Sequence, residues 1–268
     1  MDRRTLLLTS VSFCGAFLFS TPCFSEIQSQ SDAINKSGRL RMLSQRIAKA
    51  YLQLGLKVDV EHSRKIFDSS IASFDKQLIE LKSYAPTTEI KTQLLQIEKQ
   101  WLAYKDLLIG RAPNTGDAQE ILKLSDQLLL ATEDVTKRFE LQANSKSAQL
   151  VNIAGRQRML SQRMAKLYQA QQWKLNNPEI AKELASLRKE FLLNMDALEK
   201  SSLSQRRLND EIKLAQQQWV YFDYAIQQQG EKNSQLLATT VATTSERILD
   251  QMDIVTSLFQ SLNLDASK

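Results

Sequence analysis

Cysteine, histidine, proline and glycine are all scarce in this chain of 268 residues, which holds 2 Cys, 1 His, 4 Pro and 7 Gly. Sandwiches and barrels consume Gly and Pro in their many turns, so this poverty argues against both. A lone histidine argues against a His-based zinc site or a His-driven active site. That residue, His62, falls in Glu61-His62-Ser63 at a helix start and reads as exposed. Asp and Glu are scattered over helix faces with no dedicated acid/base pair. No catalytic residue, metal site or cofactor is therefore expected. The formal charge of +5 is mild for this length and does not mark a nucleic-acid binder. What is present, 43% apolar and 24% charged residues rich in Gln, Leu, Ala and Ser, is the composition of a helical protein.

Residues 1–25 read as an export signal. Arg3 and Arg4 precede an apolar run from Leu6 to Phe19, Pro22 breaks it, and Cys23-Phe24-Ser25 leads to a cleavage point after Ser25. The run is short and contains Ser and Thr, which favours cleavage, with an uncleaved N-terminal anchor as the alternative. The start Arg3-Arg4-Thr5-Leu6-Leu7 leaves both the general and the twin-arginine export routes open. Both cysteines, Cys14 and Cys23, lie in this segment, so the expected mature chain has no disulfide, thiol nucleophile or thiolate metal site. The expected location is the periplasm, away from nucleic acid.

The remainder is organised by an internal duplication. Asn35–Tyr51 and Asn152–Tyr168 are 117 residues apart and identical at 12 of 17 positions. Arg64-Lys65-Ile66-Phe67 is echoed by Arg188-Lys189-Glu190-Phe191, Trp101 by Trp219, and Val135-Thr136 by Val255-Thr256. The repeating unit is roughly 115 residues long, expected over 26–143 and 144–268. Apolar periodicity divides each unit into four helices. In the first these run from about Ser31 to Leu54, Val60 to Tyr84, Thr87 to Ile109 and Asp117 to Ala143. In the second they run from about Ser147 to Lys174, Pro178 to Ser201, Gln205 to Gln229 and Lys232 to Leu262. The expected fold is all-α: two tandem up-down-up-down four-helix bundles. No Gly or Pro separates the fourth helix from the fifth, so one long continuous helix is expected to join two stacked bundles.

Within the repeated box, Leu40, Leu43, Ile47, Ala50 and Leu54 follow core spacing, as do Gln157, Leu160, Met164 and Leu167 less strictly. A second stripe holds Ser37, Arg41, Ser44 and Ala48, matched by Ala154, Arg158, Ser161 and Ala165. All but the arginines are small, which suits a seam where two helices approach closely. Gly38 and Gly155 cost about 1 kcal/mol each against alanine inside a helix, and close approach by a partner helix is the expected reason. An arginine is an odd choice for such a seam. Two guanidiniums ~5 Å apart repel by roughly 3 kcal/mol at an effective dielectric of 20, and a bound planar oxyanion reverses that sign. The other role open to Arg41 and Arg158 is pairing with a carboxylate on a neighbouring helix. Asn35, Gln45, Arg46, Asn152, Gln162 and Arg163 are further candidates around the arginines. Arg46, Arg163, Arg39 and Arg156, which share a face with Lys49 and Lys166, read as solvated or ion-paired. Trp101, Trp173 and Trp219 read as core aromatics.

The box Asn-x-x-Gly-Arg-x-Arg-Met-Leu-Ser-Gln-Arg resembles the signature of PilJ-type sensor domains, found at the periplasmic N-terminus of type IV pilus chemotaxis transducers. It is also similar to a shorter box in the periplasmic part of nitrate/nitrite sensor kinases. The resemblance is specific in the two boxes and looser elsewhere. It implies that the first helix pairs with its mate across a homodimer and that the arginine before the methionine, Arg41 and Arg158 here, contacts nitrate. The sequence departs from that pattern in carrying the box twice, and no kinase or methyl-accepting segment follows. The expected function is a periplasmic sensor for a small anion, nitrate or nitrite first, feeding a membrane-bound signalling partner. The alternative is a structural or adaptor bundle of the envelope or pilus system without a small ligand. Arg158 is expected to matter at least as much as Arg41, because a long preceding helix would hold it more firmly.

Overall fold

The computed structural model describes residues 27–175, 178–202, 204–228 and 234–262. The export signal expected over residues 1–25 lies outside them. The described residues form helices and their connections: α1 (Gln30–Gly55), α2 (Val60–Tyr84), α3 (Thr88–Leu108), α4 (Thr115–Ala143), α5 (Lys146–Gln172), α6 (Ile180–Ser202), α7 (Arg206–Gln227) and α8 (Ser234–Ser261). No helix among them is long and apolar enough to cross a membrane.

Helix starts follow capping chemistry. Ser29, Asp59, Thr87, Asn114 and Ser145 each accept a hydrogen bond from the backbone N–H three residues on, satisfying a donor the helix itself leaves orphaned. Asp59 caps α2 through the His62 N–H, and His62 is exposed as expected. Inside each half a stacked aromatic pair marks the core: Phe74 on Trp101, with ring centroids 4.1 Å apart, and Phe191 on Trp219 at 4.2 Å. Trp173 differs. Only partly buried, it lies beside Tyr51 and presses on Gly55 of α1, where an added Cβ would stand 2.1 Å from its ring.

The joining helix does not form as expected. Asn144 adopts a left-handed conformation, φ 44°, and caps α4 by donating its N–H to the Glu140 carbonyl. Ser145 then caps α5 in an extended conformation. Asparagine tolerates the left-handed region better than other non-glycine residues, so an Asn-Ser pair reverses the chain without Gly or Pro. The two halves consequently lie side by side, with α1 against α5, rather than end to end.

The direction of that contact follows from shared neighbours. Helix α4 meets α1 at Ser125–Gln45 and Glu133–Arg41, and meets α5 at Asp126–Lys166 and Glu140–Asn152. It is antiparallel to both. Helix α8 meets α5 at Ser245–Gln162 and α1 at Glu246–Lys49 and Gln260–Asn35, again antiparallel. Helices α1 and α5 therefore run parallel and in register, Arg41 level with Arg158, at the centre of a four-helix layer completed by α4 and α8. Helices α2 and α3 flank one side and α6 and α7 the other. This explains why α1 and α5 are buried on nearly every face from Ser37 to Leu54 and from Ala154 to Ala170.

Candidate functional site

The duplicated box supplies both sides of the α1/α5 seam. Ser37, Ser44, Ala48, Ala154, Ser161 and Ala165 are fully buried along it. Ser44 and Ser161 turn their hydroxyls inward on their own helices, donating to the Arg41 and Arg158 carbonyls. The seam is thus small and locally satisfied, which lets the two backbones approach. Surfaces that would serve a homodimer through the first helix of each unit are used here within one chain.

Arg41 and Arg158 are both fully buried. Arg41 donates from Nη1 to Glu133 on α4 at 2.8 Å, and from Nη2 to the side-chain oxygen of Asn152 on α5 at 2.7 Å. Arg158 mirrors it, donating from Nη1 to Asp253 on α8 and from Nη2 to the side-chain oxygen of Asn35 on α1 at 2.9 Å. Each Nε is buried without a hydrogen-bond partner. The carboxylates therefore occupy one corner of each guanidinium. The Nε/Nη2 edge carries only neutral oxygens, the Asn152 side chain on Arg41 and the Asn35 side chain with its backbone carbonyl, at 3.3 Å, on Arg158.

The glycines explain how the guanidiniums fit. An added Cβ on Gly38 would stand 2.9 Å from the Arg41 Nη2, and on Gly155 3.0 Å from the Arg158 Nη2 and 3.7 Å from the Arg41 Nη2. Each arginine folds back over the glycine one turn earlier on its own helix, and both converge over Gly155. Backbone approach by a partner helix is thus not the main reason for these glycines; room for the guanidiniums is.

Around this pair the ion network is nearly two-fold. Glu133 takes Arg41 and, at 2.7 Å, Arg156; Asp253 takes Arg158 and, at 2.9 Å, Arg39. Arg156 also pairs with Glu190. The role weighed for Arg41 and Arg158 as carboxylate partners is therefore real. It leaves four arginines on two bridging carboxylates. Burial pushes the Arg41 guanidinium below its ordinary pKa despite Glu133. Burial likewise pushes Arg158 down to about 10 against the pull of Asp253, with Arg39 and Arg41 adding repulsion. Glu133 is driven up by burial but held below the usual carboxylate range by Arg41 and Arg156.

A second ionic layer lies further along the seam. Lys49 and Lys166, both fully buried, donate to Glu246 and to Asp126 respectively, and to Ser245 and Ser125. Burial lowers both lysines despite these partners. Burial alone would raise Glu246, yet Lys49 and Arg46 hold it down at about 2.

Not all expected neighbours surround the arginines. Asn35 and Asn152 contact them directly across the seam. Gln45 and Gln162 instead donate to the backbone carbonyls of Ser125 and Ser245 on the helix paired with their own. Arg46 and Arg163 belong to the lysine layer, reaching Glu246 and Glu183. Sequence reasoning missed Glu133, Asp253, Glu246 and Asp126, and it placed Lys49 and Lys166 on a solvated or ion-paired face. The expectation that a long preceding helix favours Arg158 also loses its basis, since Arg41 and Arg158 sit at matching depth in α1 and α5.

No group of three or more His, Cys, Asp or Glu among the described residues is arranged to hold a metal ion. Comparison with curated proteins and with solved structures returns no match. A family model does match, the one described as type IV pili methyl-accepting chemotaxis transducer N-term, and it matches twice, over residues 23–128 and 139–244. The family is one of transducer sensor domains rather than a catalytic one. Two copies of its box, paired on parallel helices, lie at the centre of this structure, and the chain belongs to the PilJ family as a tandem of two such domains.

Proposed function

We propose that the α1/α5 seam is a sensing site for a small oxyanion, nitrate or nitrite first, in an exported protein that passes its state to a membrane-bound signalling partner. The observation that carries this reading is the pair of buried arginines converging over Gly155. Each keeps an Nε without a partner and an Nε/Nη2 edge free of carboxylate. Side-on pairing through that edge is how guanidinium binds a planar oxyanion. An anion taking it would displace Asn152 from Arg41 and Asn35 from Arg158. It would also relieve the electrostatic cost that lowers both guanidiniums.

Both arginines are closed off from solvent, so binding requires α1 and α5 to shift against each other. That coupling is what a sensor needs, because occupancy then alters the relation between two parallel helices. Titration calorimetry of the chain from residue 26 with nitrate, nitrite and chloride tests the reading. Heat with an oxyanion that disappears in Arg158→Ala and is not restored in Arg158→Lys supports it, since an ammonium lacks the planar fork.

One observation favours a second reading. Both Nη groups of each arginine already have partners, which suits a purely structural seam in an adaptor protein. On that reading Arg41→Ala and Arg158→Ala change stability or assembly, and no anion gives heat with the unmodified chain.

A further inference from the structure

A cleft of about 350 Å³ opens between the N-terminal part of α1 and the C-terminal part of α2, lined by Asp32, Asn35, Lys36, Arg39, Ser73, Lys76, Gln77 and Glu80. Its innermost polar groups are Gln77 and Glu80, 9% and 6% exposed. Glu80 holds Lys36 through Oε2 at 2.9 Å. Its other oxygen, Oε1, and the Gln77 Oε1 are buried without a hydrogen-bond partner. At the mouth stand Arg39, with a side chain 35% exposed, and Lys76, 57% exposed and 4.0 Å from the Glu80 Oε1. The cleft thus presents at its base two acceptors that receive no hydrogen bond, with Asp32 beside Lys36, and at its rim two cations.

The repeat does not preserve this feature. Aligned on the stacked pairs Phe74–Trp101 and Phe191–Trp219, Gln77 and Glu80 correspond to Asn194 and Ala197, and Lys36 corresponds to Ile153 in the box. The first half carries a lysine–glutamate pair where the second has isoleucine and alanine, and a glutamine where the second has the shorter asparagine. Buried acceptors left unmet cost stability unless a ligand or water meets them.

We propose that this cleft binds a small zwitterion of the free α-amino-acid class. Its ammonium donates to the Gln77 and Glu80 oxygens at the base, and its carboxylate faces Arg39 and Lys76 at the mouth. A simple carboxylate would leave the base unmet, and a simple amine would bring no anion to Arg39 and Lys76, whose carboxylates Asp253 and Glu80 each already serve a second cation; the zwitterion supplies both. The site is separate from the arginine seam, although Asn35 and Arg39 border both. Its test is therefore built to fail independently of the anion reading.

The experiment is calorimetry and thermal-shift titration of the chain from residue 26 with glycine, L-alanine and L-glutamine, with acetate, methylamine and glycine betaine as controls. Betaine keeps both charges but has no N–H donor. Expected are saturable heats with at least one amino acid, at least about tenfold weaker binding of betaine, and a similar loss in Gln77→Leu. In Lys76→Ala, whose exposed side chain is remote from the core, affinity should fall several-fold while the melting temperature stays unchanged. Arg158→Ala should retain the amino-acid heat whether or not it loses an anion response. No heat or shift with any of the three amino acids overturns the proposal. So does betaine binding as tightly as glycine, or undiminished amino-acid binding in a folded Gln77→Leu variant.

Discussion

The two copies of the box are almost the same sequence and sit in nearly two-fold surroundings, yet each half departs from the symmetry in particular residues. Arg41 answers to Glu133 and Arg158 to the shorter Asp253, and it is Arg158 whose guanidinium burial pushes down to about 10. In the second layer Glu246 is mostly buried around Lys49 and Arg46, whereas the Asp126 side chain facing Lys166 is 37% exposed. Trp173 of the second half presses on Gly55 of the first, and Gln172 stands at the position that corresponds to Gly55. A homodimer must change both halves of such a seam at once. A duplicated chain can tune each half separately while the arginines, glycines and asparagines stay in place.

The largest effect should come from the lysine layer. Glu246→Gln leaves Lys49 buried without a counter-charge and should cost about 3–5 kcal/mol in urea unfolding. Asp126→Asn should cost clearly less, because water reaches its side chain. Equal costs for the two would erase the proposed asymmetry.

The same contrast should appear in acid. Glu246 is held at about 2, against 4.5 for an ordinary glutamate. Its contribution is fully present above the unfolded value and is lost as pH falls from about 4.5 towards 2. Unfolding free energy measured across that window should drop in the unmodified chain, and the drop should be shallower in Glu246→Gln. An unaltered acid limb in that variant would remove Glu246 from the explanation.

At the far end of the seam, Gly55→Ala drives a methyl into the Trp173 ring and should destabilise by about 1–3 kcal/mol. Adding Trp173→Ala should recover part of that loss, a coupling that a double-mutant cycle reads directly. Additive losses would mean that the two residues do not meet. A smaller effect is expected at the chain reversal: Asn144→Ala should cost about 1–2 kcal/mol for its left-handed backbone, and Asn144→Gly should be tolerated.

Much of this was legible in the sequence because helix periodicity and caps are local. The α2 limits, Val60–Tyr84, agree with the periodic reading, and the other helices differ from it by two residues or fewer at each end. The reversal at Asn144 is marked by neither Gly nor Pro, although an Asn followed by a capping Ser carries the same instruction. The arginines and glycines of the box stood out because the duplication repeats them. Their carboxylates did not, since Glu133 and Asp253 lie more than ninety residues away along the chain and look like ordinary surface acids until the four central helices are assembled. Lys49 and Lys166 misled for a related reason. A stripe argument assumes one buried face per helix, and α1 and α5 are covered on nearly all of theirs.

In the proposed site two arginines from one chain share one anion. Calorimetric stoichiometry with nitrate or nitrite, on material whose mass in solution is fixed by sedimentation equilibrium, tests this most directly. The account predicts one anion per chain on a monomer, with either Arg41→Ala or Arg158→Ala sufficient to abolish the heat. One anion per two chains would move the pairing to an intermolecular seam. Absence of binding at any concentration would contradict the anion site itself.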